Sequence, residues 1–389
     1  MMAKDRIVIV RSFEYDSIDL AVAFNNVAGD VFGRDPFYGT KDRFWMSRNP
    51  VAFSTVKVGL NQEAKIAIGR MKIRGVDGEF ILDGSSVQAL VNKNETVKVE
   101  SFLDKVKANL KTASLYKSKA VTSSRGFMDL SKVNLGQLVY NDRVFGELAD
   151  NLWVLIEKTE QCRRAGVRIR RKILFQGRFG TGKTMAALVT AKKAVENGFT
   201  VFYLEPTNPD VSGAIEFMLQ VAKKYPPALL IIEDFDREQR SGDFHAMGKT
   251  MAAIDGMTSK DSEIIVVFTT NFKDKIAGGF QRPGRIDKTI GFNSFTPQDT
   301  ERLLKVVVPS EYLGSDINWE KVSGATSHMT PAFIGEGIGV GATLAAISRA
   351  SNGERPIVTE EILLQVSEGL QDQHKACETA EQMGFSQSK

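Results

Sequence analysis

Apolar and polar positions keep three different rhythms along this chain. From residue 1 to about 95, IVIV, VAFSTVKVGL, KIAIGRMKI and GEFILDG are short apolar or alternating runs broken by Gly, Asn and Asp, a pattern of short strands. Residues 99–116 carry Phe102, Val106 and Leu110 at helical spacing. The small, basic and polar stretch 117–126, KSKAVTSSRG, reads as a linker. A long amphipathic helix is expected over 142–165, ending at Ala165-Gly166, where glycine suits the position just past a helix. Then strand, loop and helix alternate. KILFQG (172–177), TVFYLE (200–205), ALLIIED (228–234), EIIVVFTTN (263–271) and KTIGF (288–292) read as strands. KTMAALVTAKKAVENG (183–198) and AIEFMLQVAKKY (214–225) read as helices between them. Such alternation predicts an α/β fold with a parallel sheet. After about 297 the pattern turns helical, as a separate small bundle, and the polar end CETAEQMGFSQSK is expected to fray. The expected organisation is a strand-containing N-terminal domain with linker (1–125), a large α/β domain (126–297), a small helical domain (298–372) and a flexible tail (373–389).

One loop in the alternating half has a specific chemistry. Gly177-Arg178-Phe179-Gly180-Thr181-Gly182-Lys183-Thr184 matches G-x-x-x-x-G-K-[ST] between a predicted strand and a predicted helix. The glycines let backbone N–H groups turn inward as an anion nest, and the helix N-terminus adds partial positive charge. Lys183 then reaches the β- and γ-phosphates of a nucleotide, and the Thr184 hydroxyl ligates Mg²⁺. Residues 177–185, through Met185, are the expected nucleotide-binding set. The run ALLIIEDFD places Glu233 and Asp234 at the C-terminal end of a buried strand, where an open α/β sheet holds its ligands. Asn271 closes the strand EIIVVFTTN; if that strand lies between the loop strand and the acidic strand, Asn271 stands beside the loop.

Bulk properties narrow the picture without deciding it. The 389 residues are 42% hydrophobic and 25% charged, with a net charge of +4, too mild to imply nucleic acid or a membrane surface. The basic stretch CRRAGVRIRRK (162–172) has no interleaved aromatics and reads as a solvated loop or a subunit-facing surface. Two cysteines, Cys162 and Cys377, suggest reduced thiols in a cytoplasmic compartment. Three scattered histidines do not suggest a metal site, no run is long enough to span a membrane, and no signal peptide is expected.

Taken together, GRFGTGKT, LLIIEDFD, MAAIDGM (251–257), VVFTTN and QRPGRID (281–287) resemble an AAA+ ATPase. The branch includes the proteasomal motors, the AAA proteases and the severing enzymes, and the resemblance covers about 127–370. It implies a P-loop sheet with a helical lid, ATP and Mg²⁺ as cofactors, and a homo-oligomer, a hexameric ring. It further implies Glu233 with Thr184 at the metal, Asp234 as the water-activating base, Asn271 as a sensor of the γ-phosphate, and Lys183 on the phosphates. Arg282 and Arg285 would be arginines reaching a neighbouring subunit's site. MTPAFIGEGI (329–338) resembles the first helix of the lid, with Thr330 suited to cap it and Ala332 where other branches carry an arginine. QLVYN (137–141) corresponds loosely to the adenine-contacting segment.

Three departures bear on function. The acids stand as Glu233-Asp234 where the order is usually Asp-Glu; an Asp base is one methylene shorter, which predicts slower hydrolysis rather than none. The same order occurs in a branch resembling the mitochondrial Rieske-protein translocase. No aromatic stands between Pro206 and Ile215, so threading a peptide on an aromatic pore loop is not expected. Arg178-Phe179 replaces two prolines, which leaves the glycine nest intact. The leading expectation is an ATP-driven machine that remodels a protein partner chosen through residues 1–125. A DNA-linked motor and an ATP-gated scaffold with negligible turnover are the alternatives.

Overall fold

The computed structural model describes residues 5–41, 48–205, 211–235, 254, 256, 262–271, 285–292, 295–351 and 353–386. Contacts divide the chain into two compact units. The first comprises residues 1–129 together with 198–203 and 217–228; the second comprises 130–197, 204–216 and 229–389.

In the first unit the alternating runs form an antiparallel sheet. Arg6–Ser12 pairs with Ser86–Asn92, which pairs with Gly78–Asp83, which pairs with Gln62–Ile73. Ala52–Gly59 and the short strand Phe37–Tyr38 both pair with Gln62–Ile73. Two helices, Ser17–Phe32 and Thr96–Thr112, cover one face. Phe24, Phe80 and Phe102 meet there edge to face, with ring centroids 5.1–6.2 Å apart. The helix Ser17–Phe32 is an element that the strand-rich, irregular pattern of this region does not predict. Its run Leu20-Ala21-Val22-Ala23-Phe24 is buried throughout, so polar contrast, the usual helix signal, is weak. Asp16 caps it by accepting the Ile18 N–H at 2.9 Å. The stretch read as a linker holds a strand, Ala120–Thr122, paired in parallel with Thr200–Leu204.

In the second unit the sheet order is Lys288–Gly291, Arg171–Gln176, Ile264–Thr270, Ala228–Ile232. Arg171–Gln176 pairs in parallel with both of its neighbours. The strand ending in Asn271 thus lies between the loop strand and the acidic strand, as the sequence reading required. All seven residues of Ile264–Thr270 and all five of Ala228–Ile232 are buried, which is why they read as unbroken apolar runs. The helix expected over 142–165 is a helical run interrupted by a π turn at Ala149–Trp153. There the Trp153 indole N–H donates to Thr190 Oγ1 at 2.9 Å. The small bundle contains Pro297–Val307, Trp319–Thr326, a π-helical segment Phe333–Gly339 and Val340–Arg349 around a core of Leu304, Val322, Ile338 and Leu363. Its last helix runs Glu360–Ser386, so residues 377–386 of the end expected to fray continue it. Among the described residues no helix is long and apolar enough to cross a membrane.

Candidate active site

The phosphate loop links the strand Arg171–Gln176 to the helix Lys183–Glu196. Its start is anchored by the Gly177 N–H donating to the Thr270 carbonyl at 3.3 Å. Gly180 and Gly182 hold left-handed backbones, φ 73° and 90°, which glycine adopts without penalty. A Cβ at Gly177 would stand 2.4 Å from the Phe292 carbonyl oxygen, and one at Gly182 would meet the Tyr140 ring at 2.9 Å. The loop therefore needs bare backbone, the feature an anion nest requires. Lys183 is buried, and its ammonium donates to the Gly177 and Arg178 carbonyls at 2.8 Å each. Thr181 Oγ1 donates to the Arg178 carbonyl at 2.8 Å. Arg178, Phe179, Thr184 and Met185 are exposed.

The loop faces a cavity of about 740 Å³, the size of a small-molecule pocket. Phe179 through Met185 line it, as do Leu138, Asp234, Asn271, Ala332 and Glu336. The Ala332 N–H donates to the Gly180 carbonyl at 3.0 Å, so the segment read as the start of the lid touches the phosphate loop directly. Of the two acids, Asp234 lines the cavity and Glu233, one residue earlier, is buried at 8% exposure. Asp234 has a left-handed backbone, φ 48°. Its N–H donates to Thr269 Oγ1 at 3.0 Å, and its Oδ1 accepts from Asn271 Nδ2 at 2.9 Å.

Lys183, Thr184, Asp234 and Asn271 thus meet in one cavity, from the ends of two sheet strands and the helix that follows the loop. Arg285 is part-buried and is not among the residues that line this cavity; Arg282 lies outside the described residues. Two further contacts escaped the sequence reading. Thr269, a buried polar residue in an apolar strand, holds the Asp234 backbone. Tyr140 donates from its hydroxyl to the Gly182 carbonyl at 2.5 Å. Thr269 carried a faint signal as a polar residue inside an apolar run; the contact made by Tyr140 carried none. The Thr184 hydroxyl and the Glu233 carboxylate are hard oxygen donors of the kind Mg²⁺ takes; of the two, Thr184 lines the cavity.

Residues 173–294 match the family described as ATPase family associated with various cellular activities (AAA). The chain is 27% identical over 217 residues to an ATP-dependent zinc metalloprotease FtsH 2 of Sphaerobacter thermophilus, covering 53% of this chain and 32% of that protein. It is 27% identical over 238 residues to an FtsH 2 of Thermoanaerobacter sp., covering 58% and 46%. It is 24% identical over 261 residues to a cell division cycle protein 48 homolog of Archaeoglobus fulgidus, covering 63% and 34%. The chain spans less than half the length of each of these relatives. With the loop, the acidic strand and Asn271 assembled on a P-loop sheet of the α/β class, residues 173–294 are an AAA-family ATPase domain.

Proposed function

We propose that this chain is a Mg²⁺-dependent ATPase that couples hydrolysis to remodelling of a protein partner. The observation that carries the reading is the 2.9 Å bond from Asn271 to Asp234 on the wall of the phosphate-loop cavity. A carboxylate held by a polar neighbour beside the loop is placed to orient a water and take its proton, a role worth typically 10²–10⁴-fold. Thr184 and Glu233 would hold Mg²⁺, which supplies charge neutralisation at the phosphates. Lys183 adds a second positive charge at the loop. Arg282 and Arg285 would act on a neighbouring subunit's nucleotide, an arrangement worth roughly 10³–10⁵ in rate. That role requires an oligomer, for which a hexameric ring is the proposal. Residues 1–125 would choose the partner, in a cytoplasmic setting consistent with the free Cys162 and Cys377.

Steady-state ATP hydrolysis across a range of protein concentrations tests this. Turnover per chain should rise with concentration, fall at least 10²-fold in Asp234→Asn, and vanish in Arg285→Ala. Unchanged turnover in Asp234→Asn would overturn the base assignment. Bound ATP with assembled rings and no turnover would favour an ATP-gated scaffold. Stimulation by DNA, lost steeply with added salt, would favour the DNA-linked motor.

A further inference from the structure

We infer that Tyr140 is a positioning residue for the phosphate nest: its hydroxyl sets the direction of the Lys183 backbone N–H. The inference deepens the nucleotide-site reading above and rests on it.

The Gly182 carbonyl accepts two hydrogen bonds. One comes from the Ala186 N–H at 2.9 Å, the first turn of the loop helix. The other comes from Tyr140 Oη at 2.5 Å. A carbonyl oxygen has two lone pairs, and both are engaged. The Gly182–Lys183 peptide is planar and trans, so its C=O and N–H point in opposite directions. Fixing the carbonyl toward the helix and Tyr140 therefore fixes the Lys183 N–H out of the helix N-terminus. That is the direction from which an anion approaches a helix N-terminus. The Ala186 bond alone belongs to a helix end, where pairing frays. The second bond comes from a buried, packed side chain.

Three observations fix Tyr140 in place. It is 7% exposed. Its ring stands edge-on to Phe292, centroids 5.4 Å apart at 85°, and Phe292 packs in turn on Phe175 of the loop strand at 5.2 Å. The Phe292 N–H also donates to the Gln176 carbonyl at 2.7 Å. The ring occupies the space a side chain at Gly182 would need. Burial also raises the phenol's pKa well above its ordinary value, against a lowering contribution from the Ala186 backbone N–H, so the donor proton is kept. Leu138, Val139 and Tyr140 itself line the same cavity. The segment that borders the cavity thereby also grips the loop that binds phosphate.

The test separates the hydroxyl from the ring. ATP and tripolyphosphate, a probe with phosphates and no base, are titrated into the wild-type chain, Tyr140→Phe and Lys183→Ala, alongside the melting temperature of each without ligand. Tyr140→Phe should weaken both ligands by the same factor, about three- to tenfold for one lost hydrogen bond, with the ligand-free melting temperature lowered much less than in Tyr140→Leu. Tyr140→Leu, which also removes the ring, should lower the melting temperature and affinity together. Equal affinities in wild type and Tyr140→Phe would overturn the inference. So would loss of ATP affinity with tripolyphosphate unaffected, or an affinity loss accompanied by a fall in ligand-free melting temperature as large as that of Tyr140→Leu, since either outcome makes Tyr140 a base contact or simple packing. If the wild-type chain binds neither ligand, the nucleotide-site reading itself fails, and this inference fails with it.

Discussion

Asp234 sits where few residue types are comfortable. At φ 48° its backbone is left-handed, a region that Asp and Asn enter more readily than other side chains because their short polar groups bond locally. Thr269 Oγ1 accepts the Asp234 N–H and Asn271 donates to its carboxylate, so both the main chain and the side chain are held. The unusual order of the acids is thus matched to the backbone: the shorter acid occupies the strained position and the longer one the buried position before it. Restoring the usual length with Asp234→Glu should not help. The added methylene would push the carboxylate about 1 Å beyond Asn271, a misplacement worth up to about 10²-fold, on a backbone less tolerant of Glu. Turnover is expected to fall 10- to 100-fold with ATP affinity nearly unchanged, as read from kcat and from nucleotide titration. A rise in turnover would mean that Asp234 is a compromise and not a fit. A second expectation follows from Gly182. Gly182→Ala would place a methyl 2.9 Å from the Tyr140 ring in a left-handed backbone, and ATP binding should drop below detection in the same titration.

Elements whose signal is local were legible in the sequence. The loop strand, the buried strands Ala228–Ile232 and Ile264–Thr270, and the glycine loop each declare themselves within ten residues. The helix Ser17–Phe32 did not, because an apolar run buried on most sides has no periodic contrast; its signs were Asp16 before it and Gly33 after it. Thr269 and Tyr140 act on residues 35 and 42 positions away, and no spacing rule reaches that far. The first helix of the small bundle carries its own punctuation. Thr296 Oγ1 accepts the Asp299 N–H at 3.3 Å, Asp299 Oδ2 accepts the Thr296 N–H at 2.9 Å, and Pro297 takes the first helical position. This capping box satisfies donors the helix leaves open. Thr296→Ala should lower the stability of the chain by about 1 kcal/mol, measured as a shift in the urea midpoint with the slope unchanged. Phe295, the residue before the cap, lines the nucleotide cavity, so a concurrent loss of ATP affinity is expected to be small but measurable.

Across the whole chain, compactness does not follow sequence order. Residues 198–203 and 217–228, from the half that alternates strand and helix, cluster with residues 1–129. A buried acid joins them. Asp19, 1% exposed on the helix Ser17–Phe32, accepts from Ser114 Oγ at 2.6 Å, from the Leu115 N–H at 2.7 Å and from the Tyr225 hydroxyl at 2.9 Å. The Tyr225 oxygen in turn accepts the Asp16 N–H at 2.9 Å, and Arg125 pairs with Asp16 at 3.3 Å. Asp19→Ala would strand three buried donors, and the chain should lose about 3 kcal/mol of stability. The pH dependence has a definite sign. Burial, the largest cause, and the nearby Asp16 charge raise the Asp19 pKa; bonds from Ser114, Leu115 and Tyr225 oppose the rise without cancelling it. A carboxyl whose folded pKa exceeds its unfolded value contributes most when protonated. That contribution is complete below the unfolded value of about 3.9 and is lost as pH rises through the folded value. Asp19→Asn keeps an acceptor for Leu115 and cannot ionise. The stability of the wild type minus that of Asp19→Asn should therefore be largest near pH 4 and shrink toward neutral pH in urea titrations. A difference that stayed flat would mean the three donors repay the burial in full, making Asp19 a fixed charge at the centre of the unit.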